Sequence, residues 1–118
     1  MAHAVALVPD LLFGSKVQEL LARAGHDVEL CSDEALARAK APDADVFVVD
    51  LTSEDIDGPT LVESMRMGHE LGATRTLGFY SHVDDLTRRR ALEAGFDLVV
   101  PRSRMAREGA QLVEGLVA

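Results

Sequence analysis

Five short apolar runs, at residues 4–8, 28–31, 46–49, 76–80 and 98–100, alternate with stretches in which apolar residues recur every three or four positions. The first, third and fifth runs are almost unbroken in apolar character, the pattern of strands buried on both faces in a parallel sheet covered by helices. Between them, Val17, Leu20, Leu21 and Ala24 share one helical face that Gly25 ends. Ser32, followed by Asp33 and Glu34, is a predicted N-cap for a second helix. Gly58-Pro59 opens a third, with proline at a first-turn position where its missing N–H costs nothing. Ser81 or Asp84 is placed to cap a fourth that stops near Gly95, and Met105, Leu112, Val113, Leu116 and Val117 stripe a fifth.

This alternation predicts an α/β fold of the (βα)5 kind. Right-handed crossovers arrange it as a flavodoxin-like three-layer sandwich around a parallel five-stranded sheet of order 2-1-3-4-5. With 118 residues the chain is expected to form a single domain, 1–118, that buries about two thirds of its surface.

Composition sharpens this only in places. No tryptophan and one tyrosine leave an aliphatic core of Val, Leu and Ala. No apolar run reaches the length of a membrane span, and Met1-Ala2-His3 carries no basic leader, so no membrane contact is expected. The single Cys31 has no partner for an internal disulfide, reads as a small buried hydrophobe, and suits a reducing cytoplasm. A net charge of −8 argues against broad contact with nucleic acid. The charge is uneven: residues 32–57 hold eight acids against two bases, and residues 85–107 hold six arginines against three acids. Solvated helix faces account for this, and so does a pair of faces meant for different partners.

In the order 2-1-3-4-5 the loops after strands 1 and 3 flank the topological switch point, where ligands bind in open α/β sheets. Those loops carry Asp10 and Asp50, and strands 4 and 5 add Ser81, His82 and Arg102 from the same edge. Asp50 closes the run Val46-Phe47-Val48-Val49, and Asp57-Gly58 follows seven residues later.

These residues resemble the receiver domain of bacterial two-component response regulators over essentially the whole chain. The resemblance puts Asp50 at the phosphoacceptor position, Asp57-Gly58 on the Asp-Gly after it, and Ser81 on the switch Thr/Ser. Ala94-Gly95 matches the Ala-Gly before strand 5, and Arg102 falls where the family carries its lysine. The departures are clear too. Val8-Pro9-Asp10 leaves one acid where receivers carry two or three, Val99 replaces the aromatic switch residue, and Pro101-Arg102-Ser103 replaces Lys-Pro. Together they imply an atypical, or pseudo-, receiver. The stretches Asp10-Leu11-Leu12-Phe13, Gly78-Phe79-Tyr80-Ser81-His82-Val83-Asp84 and Pro101-Arg102-Ser103 are similar to signatures of stand-alone bacterial receiver-like proteins, a likeness that implies no particular activity.

As a phosphoacceptor Asp50 needs a divalent ion to neutralise the phosphoryl oxygens. Asp10 and Asp50 are the two carboxylates available, so the expectation is no cofactor beyond weak magnesium binding. A guanidinium pairs bidentately with carboxylates as an ammonium does not, so Arg102 either forms a standing ion pair with Asp50 or turns outward beside Arg104 and Arg107. His82, with Asp84 nearby, is a loop hydrogen-bonder, a general base or a metal ligand. Ser81-His82-Asp84 is no hydrolase triad, because adjacent residues diverge and no Gly-x-Ser-x-Gly elbow exists. Glu54, Asp55 and Asp57 lack EF-hand spacing, and Gly14-Ser15-Lys16 lacks the phosphate loop of nucleotide hydrolases.

The expected function is a bacterial signalling and protein-interaction module, not an enzyme, working in a two-component system or phosphorelay. Its Asp50 site is switch-like at Ser81 and Arg102 and supported by Asp10, His82 and Asp57. A protein partner is expected on helix 4, strand 5 and helix 5, between Arg88 and Arg107, with the chain a monomer or homodimer. Two alternatives remain open: a small-anion or metal site at the strand ends, and conventional phosphorylation of Asp50.

Overall fold

A computed structural model describes residues 1–118. The elements run β1 (His3–Leu7), α1 (Leu11–Arg23), β2 (Asp27–Cys31), α2 (Glu34–Lys40), a 3-10 turn (Ala41–Asp43), β3 (Val46–Asp50), α3 (Gly58–Met67), β4 (Arg75–Tyr80), α4 (Asp85–Ala94), β5 (Leu98–Pro101) and α5 (Arg102–Val117). All neighbouring strands pair in parallel in the order β2-β1-β3-β4-β5, as the hydrophobic pattern predicts.

The period of two along the strands sorts their side chains between two cores. Val5, Leu7, Phe47 and Val49 point to one face and pack with Ala37 of α2, Leu61, Val62 and Met65 of α3, and Ala91 of α4. Ala4, Ala6, Val46 and Val48 point to the other, where Phe13, Val17 and Leu21 of α1 meet Met105, Leu112 and Val113 of α5. Small alanines of β1 lie in the cluster with α1, and the larger Phe47 lies in the cluster with α3, so side-chain volume is divided between the two layers.

Four helices begin on an aspartate: Asp10, Asp33, Asp57 and Asp84 each accept a backbone N–H of the first turn. Such a cap is worth about 1 kcal/mol and places a negative charge at the positive end of the helix. The second cap is therefore Asp33 rather than Ser32, because β2 runs on to Cys31 and the chain turns into the helix one residue later. The fourth is Asp84 rather than Ser81. The fifth stripe is also corrected at its end: Val117 is 42% exposed, while Leu116 beside it packs partly buried against the core. Ala24, at the end of α1, is exposed too.

Two glycines are required by contact or conformation. At Gly58 a Cβ would sit 2.7 Å from Leu51 Cδ2 and 2.9 Å from Val49 Cγ1, so only glycine lets α3 start against the end of β3. Gly95 ends α4 in the left-handed region at φ 103°, with the Arg66 side chain packed over it.

Candidate functional site at the C-terminal edge of the sheet

Asp50 is the last residue of β3 and only 3% exposed. Thr52 donates both its backbone N–H (2.8 Å) and its hydroxyl (2.6 Å) to Oδ1 of Asp50, a local turn that fixes the carboxylate. Oδ2 of Asp50 accepts no hydrogen bond from the protein. One oxygen is held and the other is free, at the strand end facing the loops after β1 and β4.

Asp10 is committed elsewhere. Its Oδ1 accepts the N–H groups of Leu12 (3.0 Å) and Phe13 (3.2 Å), and its Oδ2 accepts Nη2 of Arg102 at 3.3 Å. The Phe13 N–H is the largest influence holding the Asp10 carboxyl below the usual carboxylate range; desolvation opposes it, and the Leu12 N–H and Arg102 add to it.

The Arg102 guanidinium lies over the Phe13 ring, 4.1 Å from its centroid, and Phe13 in turn leans on Phe79 with centroids 5.0 Å apart. The expected pair between Arg102 and Asp50 is therefore corrected, and so is its alternative of an outward arginine. Arg102 opens α5 directly after Pro101, and from that position an aromatic platform and a helix-capping acid on α1 hold it.

Asp57 also departs from expectation. It caps α3 through the Thr60 N–H and takes both oxygens to Nη2 of Arg90, each at 3.1 Å, tying α3 to α4. Desolvation, the largest influence, pushes its carboxyl up, but hydrogen bonds from Thr60 and Arg90 win and hold it below the ordinary range. It lies outside the cavity at the strand ends.

That cavity has a volume of about 420 Å3 and is lined by Phe13, Thr52, Ser81, His82, Arg102, Ser103 and Ala106. Of the predicted residues the structure thus gathers Ser81, His82 and Arg102 at one cavity, with Asp50 adjoining through Thr52 and Asp10 through Arg102. His82 is exposed in the loop after β4 and makes no side-chain hydrogen bond to Asp84, whose oxygens go to the N–H and hydroxyl of Thr87. Thr52 and Phe13 were missed in the sequence. Asp50-Leu51-Thr52 carries a signal for the first, since a hydroxyl two residues after an aspartate closes this kind of turn. Phe13 has none, because its platform role exists only once α5 is packed beside α1.

A magnesium ion fits these residues poorly. The free Oδ2 of Asp50 is the one uncommitted carboxylate oxygen between Asp50 and Asp10, and no group of three His, Cys, Asp or Glu side chains is placed to hold a metal ion.

The arginine-rich stretch is balanced locally. Arg88 and Arg89 meet Asp85, Arg90 meets Asp57, Arg102 meets Asp10, and Arg104 and Arg107 meet Glu108. Each of these arginines has an acid within 4.0 Å, so the surface carries paired charges of both signs.

The five-stranded order and the flanking helices define the fold of response-regulator receiver domains, which solved structures share with this chain. The receiver domain of a Pseudomonas aeruginosa sensor histidine kinase, solved with magnesium coordinated in its active-site cleft, is 14% identical, with a TM-score of 0.84 over 98% of this chain and 97% of that one. The receiver domain of the Francisella response regulator 1452 is 17% identical, with a TM-score of 0.85 over 99% and 97%. The Vibrio cholerae chemotaxis protein CheY4 is 21% identical, with a TM-score of 0.83 over 98% of each chain. No protein-family model and no curated protein matches the sequence. No helix is long and apolar enough to cross a membrane.

Proposed function

We propose that this chain is an atypical receiver, a cytoplasmic signalling module that acts through contact with a partner protein and whose Asp50 site is held in one state. The observation that carries this reading is the commitment of Arg102 to Asp10 and Phe13. In a switching site, the cation on the last strand must follow the charge on the acceptor, so that each state of the acceptor favours a different arrangement. Here the guanidinium is engaged away from Asp50, and the acid that would help to hold a divalent ion is the one that engages it. Magnesium binding is correspondingly weak, and Asp50 serves as a fixed structural carboxylate. Contact with the partner falls on α4, β5 and α5, where Leu86 and Leu92 are exposed beside the arginines.

The test combines mass and capture. After incubation with acetyl phosphate and magnesium, intact mass at low temperature shows the natural chain without added phosphoryl. In pull-downs, Asp50→Asn captures the same partner as the natural chain, while Arg89→Glu with Arg104→Glu captures none. A gain of one phosphoryl group that is absent from Asp50→Asn would make this a phosphorylatable regulator. Loss of the partner with Asp50→Asn, or its full retention by the charge-reversed pair, would overturn the partner surface as drawn.

A further inference from the structure

Four residues lining the cavity at the strand ends, Ser81, His82, Arg102 and Ser103, carry donors that the protein leaves unused. Arg102 makes one hydrogen bond, the 3.3 Å contact from Nη2 to Asp10, which leaves Nε and Nη1 without a protein partner. The side chains of Ser81, His82 and Ser103 make no hydrogen bond to the protein, although all three line the cavity. The first turn of α5 begins here behind Pro101 with no side chain capping its N–H groups. Stacking on Phe13 holds the guanidinium in place before any ligand arrives, so little side-chain freedom remains to be lost on binding. The rest of the lining is Phe13 and Ala106, which are apolar, and Thr52, whose hydroxyl is already donated to Asp50.

We propose that this cavity, between the first turns of α1 and α5, binds a small organic carboxylate with a flat apolar body. A planar guanidinium fork matches a carboxylate in shape and charge, and the hydroxyls and His82 supply further donors. The volume of about 420 Å3 lies within the range of small-molecule pockets and exceeds what a bare inorganic anion fills. The carboxylates of Asp10 and Asp50 stand close by, and the chain carries a net charge of −8, so a single negative charge is accepted where a dianion is repelled. The apolar body covers Ala106 and the edge of Phe13, while Arg102 keeps its face on the ring. This ligand site goes beyond the signalling role proposed above and needs no phosphorylation of Asp50.

The test uses three probes in amide chemical-shift titrations of the full chain: benzoate, acetate as the head group alone, and benzyl alcohol as the body alone. Benzoate binds with a Kd of about 1 mM or tighter, at least ten-fold tighter than either fragment, and shifts signals of Phe13, His82, Ser103 and Ala106. Arg102→Gln, which removes the charge, and Ala106→Leu, which fills the floor, each weaken benzoate at least ten-fold. Their unchanged amide dispersion shows that the fold is intact. Asp50→Asn binds benzoate at least as well as the natural chain, which separates this site from the fate of the receiver-like reading. Equal affinity for acetate and benzoate, shifts confined to another surface, or unchanged binding by a folded Ala106→Leu would each overturn the proposal.

Discussion

Asp10 and Asp50 stand at the ends of adjacent parallel strands, yet the structure treats them in opposite ways. Asp10 sits one turn beyond its strand, with a half-exposed side chain and both oxygens engaged by two backbone N–H groups and Arg102. Asp50 sits on the last residue of its strand, almost fully buried, with one oxygen held by Thr52 and the other free. A carboxylate at a strand end is thus a candidate for chemistry only if nothing nearby has already used its lone pairs. The Asp10 corner is a joint between α1 and α5; the Asp50 corner is a fixed carboxylate with one oxygen free to accept a hydrogen bond.

The strongest way to break this contrast is through the platform under Arg102. Phe13 is 8% exposed and packs on Phe79, so Phe13→Ala leaves a cavity and costs about 3 kcal/mol. Thr52→Ala at the other corner removes one hydroxyl and costs about 1 kcal/mol. Urea unfolding of both variants checks the order. Equal losses would mean that Arg102 and Phe13 are not a unit of the core.

A mutant cycle sharpens the comparison further. Asp10→Ala removes a helix cap and an ion-pair partner and so lowers stability. The pair's side chains are 41% and 44% exposed, so its coupling energy is small but measurable. Arg102→Ala therefore costs less in the Asp10→Ala background than in the natural chain. The same cycle with Asp50→Asn is additive within about 0.5 kcal/mol. Coupling to Asp50 and none to Asp10 would reverse the assignment.

The smallest effect is in acid. Asp10, Asp57 and Asp84 all have carboxyls held below the ordinary range in the folded chain, Asp84 chiefly through the Thr87 hydroxyl. A lowered folded value means that the stabilisation is complete above the unfolded value, about 3.9, and is lost as pH falls through the folded one. Stability measured by denaturant titration therefore declines below about pH 4. Asp10→Asn, which keeps a capping oxygen but no charge, makes that decline shallower, and an unchanged slope would show that Asp10 gains nothing from its charge.

The sequence by itself determined the order of elements, the two-sided burial of the sheet, and the arrival of Asp50 at a strand end. These follow from periodicity and from residues with narrow conformational demands. Gly58-Pro59 after the capping Asp57 suits a helix start, and the unbroken run Val46-Phe47-Val48-Val49 suits a strand buried on both faces. The caps were legible to within one position or one alternative, since Ser32 and Asp33, or Ser81 and Asp84, are equally capable, and the length of the preceding strand or loop chooses between them. The partner of Arg102 was beyond that reach. A long cationic side chain has several acids within its span, and here the choice fell to a ring and an N-cap 92 residues away in the chain. Asp57 shows the same limit: the sequence placed it beside Asp50, and packing of α4 against α3 gave it to Arg90. Backbone pattern is set by local sterics and by which residues avoid water. Ion-pair partners differ by less than about 1 kcal/mol on a surface, so small differences in packing decide them, and those exist only when the chain is folded.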